Sequence, residues 1–342
     1  LDPTASFNGV PNTFNGTAGD DIATGVSPLI IGGNDTLNGL AGDDQLNGAG
    51  GNDVLNGGQG NDRLDGGAGT DTAVYSGAAF NFNFGLNASN QLTVTDLTGA
   101  EGVDTLIAME QLRYGGVNYT LVNGTVAGQT LNGGAGTRAD IILGHAGADT
   151  LNGNAGNDIL VGGAGNDTVS GGDGADLMLW RVGDGRDFLN GGAGTDTVHV
   201  AGDASAEVFR IYTRTEALAA GLTGLNGNTE IVITRNGATN ASIIAELDNV
   251  EEIIINGHGG GDTFITVGDF TGTSLAMSTI TLEGGAGNDR VDISALRSAH
   301  RIVFRSNGGD DTVVGALRPQ DVVELPWGAN LFGALADAAD GA

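Results

Sequence analysis

The chain has 342 residues with 63 glycines, 42 Asp and Glu residues, 13 arginines and no lysine, for a net charge of −29. Nucleic acids and anionic membranes require a basic patch, so this composition argues against both as partners. The absence of cysteine excludes disulfides, zinc–thiolate sites and thiol nucleophiles. No apolar run reaches the roughly 18 residues that a membrane span needs.

The first internal repeats lie in the N-terminal part of the chain. From Gly39 to Val74 the sequence reads GLAGDDQLN, GAGGNDVLN, GGQGNDRLD and GGAGTDTAV, which are consecutive nonapeptides. A degenerate copy begins at Gly16, and a shortened copy runs over 32–38. We number each nonapeptide from position 1 to position 9, so that an aspartate stands at position 6 and an apolar residue at position 8.

The segment after the first array reads LTVTDLTGAEGVDTLIAMEQLRYGGVNYTL over residues 92–121. Its alternation predicts β-strands broken by turns, with Val94, Leu106, Leu112 and Tyr119 in the core. We expect this segment to cover the open end of one array, because an uncovered solenoid end invites edge pairing.

A second array starts near Gly133 and ends at His199. Complete copies begin at Gly144, and a variant turn that contains Asp187 precedes the closing copy. Residues 133–139 hold two extra residues, so Asp140 stands outside the regular register.

Two features follow the second array. Alternation over 230–257 predicts further strands, and isolated copies of the nonapeptide begin at Gly257, Gly284 and Ser306. These copies lack adjacent ones, so their aspartates need partners that longer coils bring together.

Each position of the repeat has a physical reason. Glycines at positions 1, 2 and 4 permit positive φ and close packing in a tight turn. Positions 7 to 9 form a short strand whose apolar centre, such as Leu46, Leu55 or Leu160, points inward. Two nonapeptides then make one coil, and equivalent turns stack at the parallel-strand spacing of about 4.8 Å.

Stacking places the position-6 carboxylates of alternate turns one above the other. Like charges so close are unstable unless a cation lies between them. Calcium suits such a site, since it takes six to eight oxygen ligands in flexible geometry, whereas magnesium demands a tighter octahedron. The pattern G-G-x-G-x-D-x-U-x is that of calcium-binding RTX repeats.

These residues resemble the RTX, or hemolysin-type, calcium-binding family of secreted bacterial proteins. The resemblance implies an all-β fold of right-handed parallel β-roll arrays with flanking β-rich caps. It also implies type I secretion of an unfolded chain that folds on extracellular calcium. More loosely, the segments 92–121, 230–257 and 300–325 resemble the C-terminal regions of large RTX proteins that carry haem peroxidase domains.

The resemblance further implies the calcium ligands, roughly eight to twelve ions being held by side chains and backbone carbonyls. The predicted side-chain ligands are Asp21, Asp35, Asp44, Asp53, Asp62, Asp71, Asp140, Asp149, Asp158, Asp167, Asp176, Asp187, Asp196, Asp262, Asp289 and Asp311. The predicted carbonyl ligands at positions 1, 3 and 5 are Gly39, Ala41, Asp43, Gly48, Gly50, Asn52, Gly57, Gln59, Asn61, Gly144, Ala146, Ala148, Gly153, Ala155, Asn157, Gly162, Ala164 and Asn166.

The pattern divides the chain into segments. We predict a first array over 1–74, a β-rich cap over 75–129, a second array over 130–199, a β-rich linker over 200–256, a degenerate solenoid over 257–325 and a tail over 326–342. We expect the chain to belong to a larger secreted polypeptide.

No catalytic constellation accompanies the repeats. The sequence contains neither H-E-x-x-H nor G-x-S-x-G, and its histidines are scattered, so we predict that the chain is not an enzyme. The leading hypothesis is a module that folds on calcium. The alternatives are a calcium-stiffened adhesive or surface-layer protein and a domain that directly serves an N-terminal enzyme, such as a peroxidase.

Overall fold

The computed structural model describes residues 13–16, 19, 22–24, 33–277, 279–325 and 330–332. The chain forms two compact units, one of residues 1–125 with 133–145 and one of residues 126–132 with 146–342. No helix of the described ranges is long and apolar enough to cross a membrane.

The first unit is built from strands that form two sheets. Its strands are β1 (Thr13–Asn15), β2 (Ile22–Thr24), β3 (Thr36–Ala41), β4 (Gln45–Asn47), β5 (Val54–Gln59), β6 (Arg63–Asp65), β7 (Thr72–Tyr75), β8 (Phe82–Leu86), β9 (Leu92–Asp96), β10 (Val103–Ile107), β11 (Gln111–Tyr114), β12 (Val117–Asn123) and β14 (Asp140–Leu143). One sheet has the order β1-β3-β5-β7-β11-β12-β14 and the other β2-β4-β6-β10-β9-β8.

Alternate repeats of the first unit stack in parallel. Thr36 pairs with Val54 and Gln45 with Arg63, so each coil consists of two nonapeptides, as predicted. The position-8 side chains Leu46, Leu55 and Leu64 are fully buried. Some strands are longer than the predicted three residues, because pairing continues into the glycine turn of the next repeat.

Antiparallel pairs interrupt the parallel stacking of the first unit. Strands β8 and β9 form a hairpin on β10, and β11 and β12 form another. Val94, Leu106 and Leu112 are buried as predicted, but Tyr119 is only half-buried. Tyr114 takes the core position instead, where its ring stacks on the ring of Tyr75 with centroids 5.4 Å apart.

The second unit follows the same plan with longer strands. Its strands are β13 (Thr130–Asn132), β15 (Thr150–Ala155), β16 (Ile159–Val161), β17 (Thr168–Gly174), β18 (Leu177–Arg181), β19 (Asp187–Gly194), β20 (Thr197–Ala201), β21 (Val208–Thr213), β22 (Ile231–Arg235), β23 (Ile243–Asp248), β24 (Glu252–Asn256), β25 (Thr263–Gly268), β26 (Thr279–Ala286), β27 (Arg290–Leu296), β28 (Arg301–Gly308), β29 (Asp310–Val314), β30 (Val322–Glu324) and β31 (Asn330–Phe332).

These strands also form two sheets. One has the order β16-β18-β20-β24-β26-β28-β30, and its neighbours are all parallel. The other has the order β13-β15-β17-β19-β23-β22-β21-β25-β27-β29-β31, in which β21, β22 and β23 are antiparallel. A short helix, α1 (Arg214–Ala219), follows β21 and buries Ala217. The protein is therefore all-β, with stacked parallel coils and antiparallel insertions.

Candidate metal centres

The position-6 aspartates lie at the start of the short strands and are buried. Asp53 precedes β5 and Asp71 precedes β7, and both side chains are inaccessible to solvent. The carbonyl oxygen of Asp53 accepts a hydrogen bond from the N–H of Thr72 at 2.8 Å. This bond between stacked turns fixes the backbone that carries each carboxylate.

One carboxylate oxygen of each aspartate bonds the turn that lies two repeats earlier. Asp53 Oδ1 accepts the N–H of Asp35, and Asp71 Oδ1 accepts that of Asp53. Equivalent bonds of 2.7–2.9 Å join Asp44 to Asp62, Asp62 to Asp104, Gln129 to Asp149, Asp149 to Asp167, Asp167 to Asp187, Asp158 to Asp176, and Asp176 to Asp196. The carboxylates therefore form ladders, which we call aspartate ladders.

The other carboxylate oxygen is buried without a hydrogen-bond donor among the described residues. This holds for Oδ2 of Asp53, Asp62, Asp71, Asp149, Asp167, Asp176, Asp196, Asp262, Asp289 and Asp311. None of these aspartates forms an ion pair with an arginine of the described chain. A buried charged oxygen with no partner is costly, so these oxygens fit the ligands of a cation.

Backbone oxygens lie beside the unpartnered carboxylate oxygens. A Cβ on Gly48 would collide with Asp53 Oδ2 and would lie 2.8 Å from the carbonyl oxygen of Gly66. A Cβ on Gly171 would likewise collide with Asp176 Oδ2 and lie 2.6 Å from the carbonyl oxygen of Gly191. Glycine at position 1 thus leaves room for a carboxylate and a carbonyl oxygen to converge.

Burial raises the pKa of the ladder carboxylates. The pKa values of Asp53, Asp167 and Asp176 rise from 3.8 to about 6, first because burial disfavours the charged form and then because neighbouring aspartates repel it. The pKa of Asp262 rises to about 7 for the same reasons. The ladders therefore favour either protons or a cation.

Side chains alone do not make a metal site. The described residues contain no group of three or more His, Asp or Glu side chains close enough to hold an ion together. A cation bound here would need backbone carbonyls for most of its ligands, a donor set that suits calcium. The carbonyl oxygen of the predicted ligand Gln59 accepts the N–H of Gly42, and that of Ala164 accepts the N–H of Gly147. A carbonyl oxygen has two lone pairs, so such a hydrogen bond does not by itself prevent binding to an ion.

Position 5 has a role that we did not predict from the sequence. The side-chain oxygen of Asn52 accepts the N–H of Thr70, and that of Asn61 accepts the N–H of Val103. The same bond runs from Asn34 to Asn52, Asp43 to Asn61, Asn157 to Ala175, Asn166 to Arg186 and Asn288 to Asp310. Asn or Asp at position 5 therefore forms a second ladder in addition to any role of its carbonyl.

Several ladder residues were missed in the sequence. Asp104 belongs to the nonapeptide GAEGVDTLI, which begins at Gly99 and follows the repeat rule, so the signal was present. Glu110 and Glu251 take position 6 at other ladder ends, where they accept the N–H groups of Asp71 and Asp196. A pattern that requires aspartate does not find glutamate.

Three predicted side-chain ligands belong to irregular, variant or degenerate repeats. Asp140 Oδ2 accepts the N–H of Gly134 at 2.6 Å, a contact within its own irregular turn. Asp187 joins a ladder although its turn is a variant. Asp21 lies outside the described residues.

The isolated motifs of the third region, residues 200–325, also form a ladder. Asp262 Oδ1 accepts the N–H of Glu207, Asp289 Oδ1 that of Asp262, and Asp311 Oδ1 that of Asp289, at 2.8–2.9 Å. Longer coils therefore bring these aspartates together, as predicted.

Comparison with known proteins agrees with this geometry. The family model of the RTX calcium-binding nonapeptide repeat matches residues 32–55, 44–73, 124–160, 133–169, 143–178, 181–204 and 281–292. No curated protein sequence matches the chain significantly. The crystal structure of the extracellular lipase LipA from Serratia marcescens aligns at 21% identity over 72% of this chain and 39% of its own, with a TM-score of 0.28. So low a TM-score carries neither fold nor activity from the lipase to this chain.

Proposed function

Since the chain carries RTX calcium-binding nonapeptide repeats, we propose that it is a calcium-triggered folding module of a secreted bacterial protein. The observation that supports this role is the row of buried aspartates, ten of which have a carboxylate oxygen without a donor among the described residues. Filling these positions with a cation removes the repulsion that opposes folding. Calcium binding and folding are then one event.

The proposed ligands come from both parts of each turn. The position-6 carboxylate supplies Oδ2, and carbonyl groups at positions 1, 3 and 5 supply neutral oxygens, as in Gly48, Gly50 and Asn52 around Asp53. Calcium supplies positive charge and accepts many oxygens at flexible distances, whereas magnesium holds its waters and needs an octahedron. We therefore expect magnesium to replace calcium poorly.

The energetics favour a switch. Extracellular calcium modules have dissociation constants of about 10⁻⁴–10⁻³ M. At free calcium about 100-fold above such a constant, one independent site adds about 2.7 kcal/mol to the folded state. About six such independent sites would together exceed the usual stability of about 5–15 kcal/mol, so calcium decides whether the chain folds.

The same logic supports type I secretion. A chain that stays expanded at cytosolic calcium can pass a secretion channel and fold outside, where calcium is abundant. The absence of cysteine fits this route, since no disulfide is needed afterwards. We assign the module the task of stabilising the polypeptide that carries it, and we assign it no catalysis, because the repeats are structural motifs.

The test is the size of the chain with and without calcium. In calcium-free buffer, small-angle X-ray scattering should give a radius of gyration that approaches about 66 Å, the value for an unfolded chain of this length. Saturating calcium should reduce that radius by roughly half, and magnesium at equal concentration should not. A compact chain in the absence of calcium would refute the proposal.

A further inference from the structure

One turn of the third region departs from the others. Residues 202–210 read GDASAEVFR, a nonapeptide with Gly202 at position 1 and Glu207 at position 6. Glu207 lies in the ladder, because its N–H donates to Asp262 Oδ1 at 2.8 Å. A Cβ on Gly202 would collide with Glu207 Oε2, just as a Cβ added at position 1 of other turns would collide with the aspartate Oδ2. The turn therefore has the architecture of the metal-binding turns.

The carboxylate of this turn is fully partnered. Arg235 Nε donates to Glu207 Oε1, and the N–H of Asp203 donates to Glu207 Oε2 at 3.0 Å. The Glu207 side chain is fully buried, and that of Arg235 is 19% exposed. Arg235 thus gives this buried ladder carboxylate a positively charged partner, whereas no arginine of the described residues pairs with Asp262, Asp289 or Asp311.

Arg235 also contacts a second carboxylate of the same turn. Its Nη2 lies 2.8 Å from Asp203 Oδ2, at position 2 of the nonapeptide. The Asp203 side chain is 41% exposed, so water offsets its remaining charge. One arginine therefore bridges both acidic side chains of the turn, which leaves little attraction for a divalent cation.

The backbone holds Arg235 in this place. Arg235 ends β22 and pairs with Phe209 of β21 in the antiparallel register. Asn236, with φ of 56°, follows it, and its N–H and side-chain oxygen both bond Val208 at 2.8 Å. The hairpin's own backbone contacts thus position Arg235, without a contribution from the coils that follow.

An apolar core supports the same hairpin. Tyr212, Val232 and Ile243 pack with Ala217 of α1 and with Leu222, all buried. These contacts need no ion. They give the hairpin a source of stability that does not depend on a bound ion.

We propose that Arg235 takes the place of calcium at the Glu207 turn, so that the β21–β22 hairpin is a metal-free nucleus on which the third ladder forms. The inference rests on the proposed function, since it matters only if the other turns need calcium. Removing Arg235 should convert the turn into one that requires the ion, because the buried Glu207 carboxylate then loses its only positively charged partner among the described residues and carries an unbalanced charge, as Asp262 does.

Hydrogen–deuterium exchange of the full chain tests this inference. In calcium-free buffer the amides of 208–213 should exchange at least about tenfold more slowly than those of 150–155 and 168–174. Arg235→Gln should abolish that difference, and calcium should restore the protection. Arg290→Gln is the matched control, because it breaks the more exposed pair with Asp292 in the same region.

Each outcome decides a separate point. If Arg235→Gln keeps full protection at 208–213 without calcium, the apolar core suffices and the inference is wrong. If wild-type 208–213 exchanges as fast as the array segments, the hairpin is no metal-free nucleus. If the array segments themselves stay protected without calcium, the proposed function fails. Faster exchange at 208–213 in Arg235→Gln would then still show that Arg235 stabilises the hairpin, and unchanged exchange would show that it does not.

Discussion

The regular arrays and the third region build the same ladder from different lengths of chain. In the arrays the bonded aspartates are 18 or 20 residues apart, as in Asp158–Asp176 and Asp176–Asp196. In the third region the spacing is 27 residues from Asp262 to Asp289 and 22 residues from Asp289 to Asp311. The lengths of these four hydrogen bonds are nonetheless 2.8–2.9 Å.

The extra residues of the third region are placed away from the ladder. Short 3₁₀ turns at Phe270–Gly272 and Ser274–Met277 take up part of the longer coil. The pairing of β25 with β27 shifts register between Ile265 and Val267, after the aspartate end of the strand. Strand pairing at the aspartate, and not the length of the repeat, therefore fixes the ladder.

The largest effect should follow removal of a ladder carboxylate in either region. Asp176→Ala should destabilise the calcium-loaded protein by about 4 kcal/mol, from a lost ion worth about 2.7 kcal/mol and a buried N–H of Asp158 worth at least 1 kcal/mol. Asp289→Ala should cost as much. Calorimetric melting in saturating calcium measures both variants.

Asp173→Ala is the matched control for this comparison. It removes an exposed carboxylate at position 3 of the same repeat as Asp176, so its effect should stay within about 0.5 kcal/mol. An equally small effect of Asp289→Ala would show that the third region holds no ion.

Close stacking at position 4 should be nearly as sensitive. A Cβ on Gly60 would collide with the carbonyl oxygen of Gly42, and one on Gly287 with that of Gly260, with φ of 132° and 143°. Alanine at either glycine should therefore destabilise by about 3 kcal/mol through strain and overpacking. Gly99→Ala, with φ of 83° but open space around it, should cost only about 1 kcal/mol.

Acid should partly replace calcium in both regions. The pKa values of Asp176 and Asp289 rise to about 6 in the folded protein from 3.8, mainly by burial. The folded state therefore binds more protons than the unfolded chain between these pH values. Burial of the charged carboxylates destabilises the folded state fully above about pH 6, and this destabilisation is relieved as the pH falls towards 4. In calcium-free buffer, the β-signal of circular dichroism should increase from pH 7 to pH 5. A steady loss of that signal would contradict the assignment of buried, unpaired carboxylates.

The position-5 ladder should give the smallest effects. Asn52→Ala removes the acceptor of the Thr70 N–H, and Asn288→Ala that of the Asp310 N–H, so each should cost about 1 kcal/mol. Ala148→Asn makes the reverse change, since its side chain can accept from Asn166 as Asn34 does from Asn52. Thermal melting should show a gain of about 0.5 kcal/mol for this variant. A loss of stability in this variant would mean that the side-chain hydrogen bond does not explain why Asn or Asp stands at position 5.

Much of the ladder could be predicted from periodicity. The nine-residue rule identified the inward Leu46 and the buried Asp53, because both properties repeat along the chain. The nonapeptide of Asp104 obeys the rule but stands alone after an inserted hairpin, so we missed it, whereas the rule itself fails for Glu110, whose longer side chain fills the same place. Alternation over 92–121 placed Tyr119 in the core, but the structure buries Tyr114 instead.

The partner of Glu207 lay beyond local sequence reasoning. Arg235 is 28 residues away and reaches Glu207 through antiparallel pairing, for which the nonapeptide pattern holds no information. The position-5 bonds were likewise invisible, since a variable position in a motif gives no sign that its side chain bonds a stacked turn.

Far-UV circular dichroism during a calcium titration tests the central claim most directly. The titration should run from calcium-free buffer to about 10 mM calcium, above the expected dissociation constants, with magnesium as control. A cooperative gain of β-signal with calcium alone is the predicted result. A chain that is already folded without calcium, and indifferent to its addition, would contradict the account.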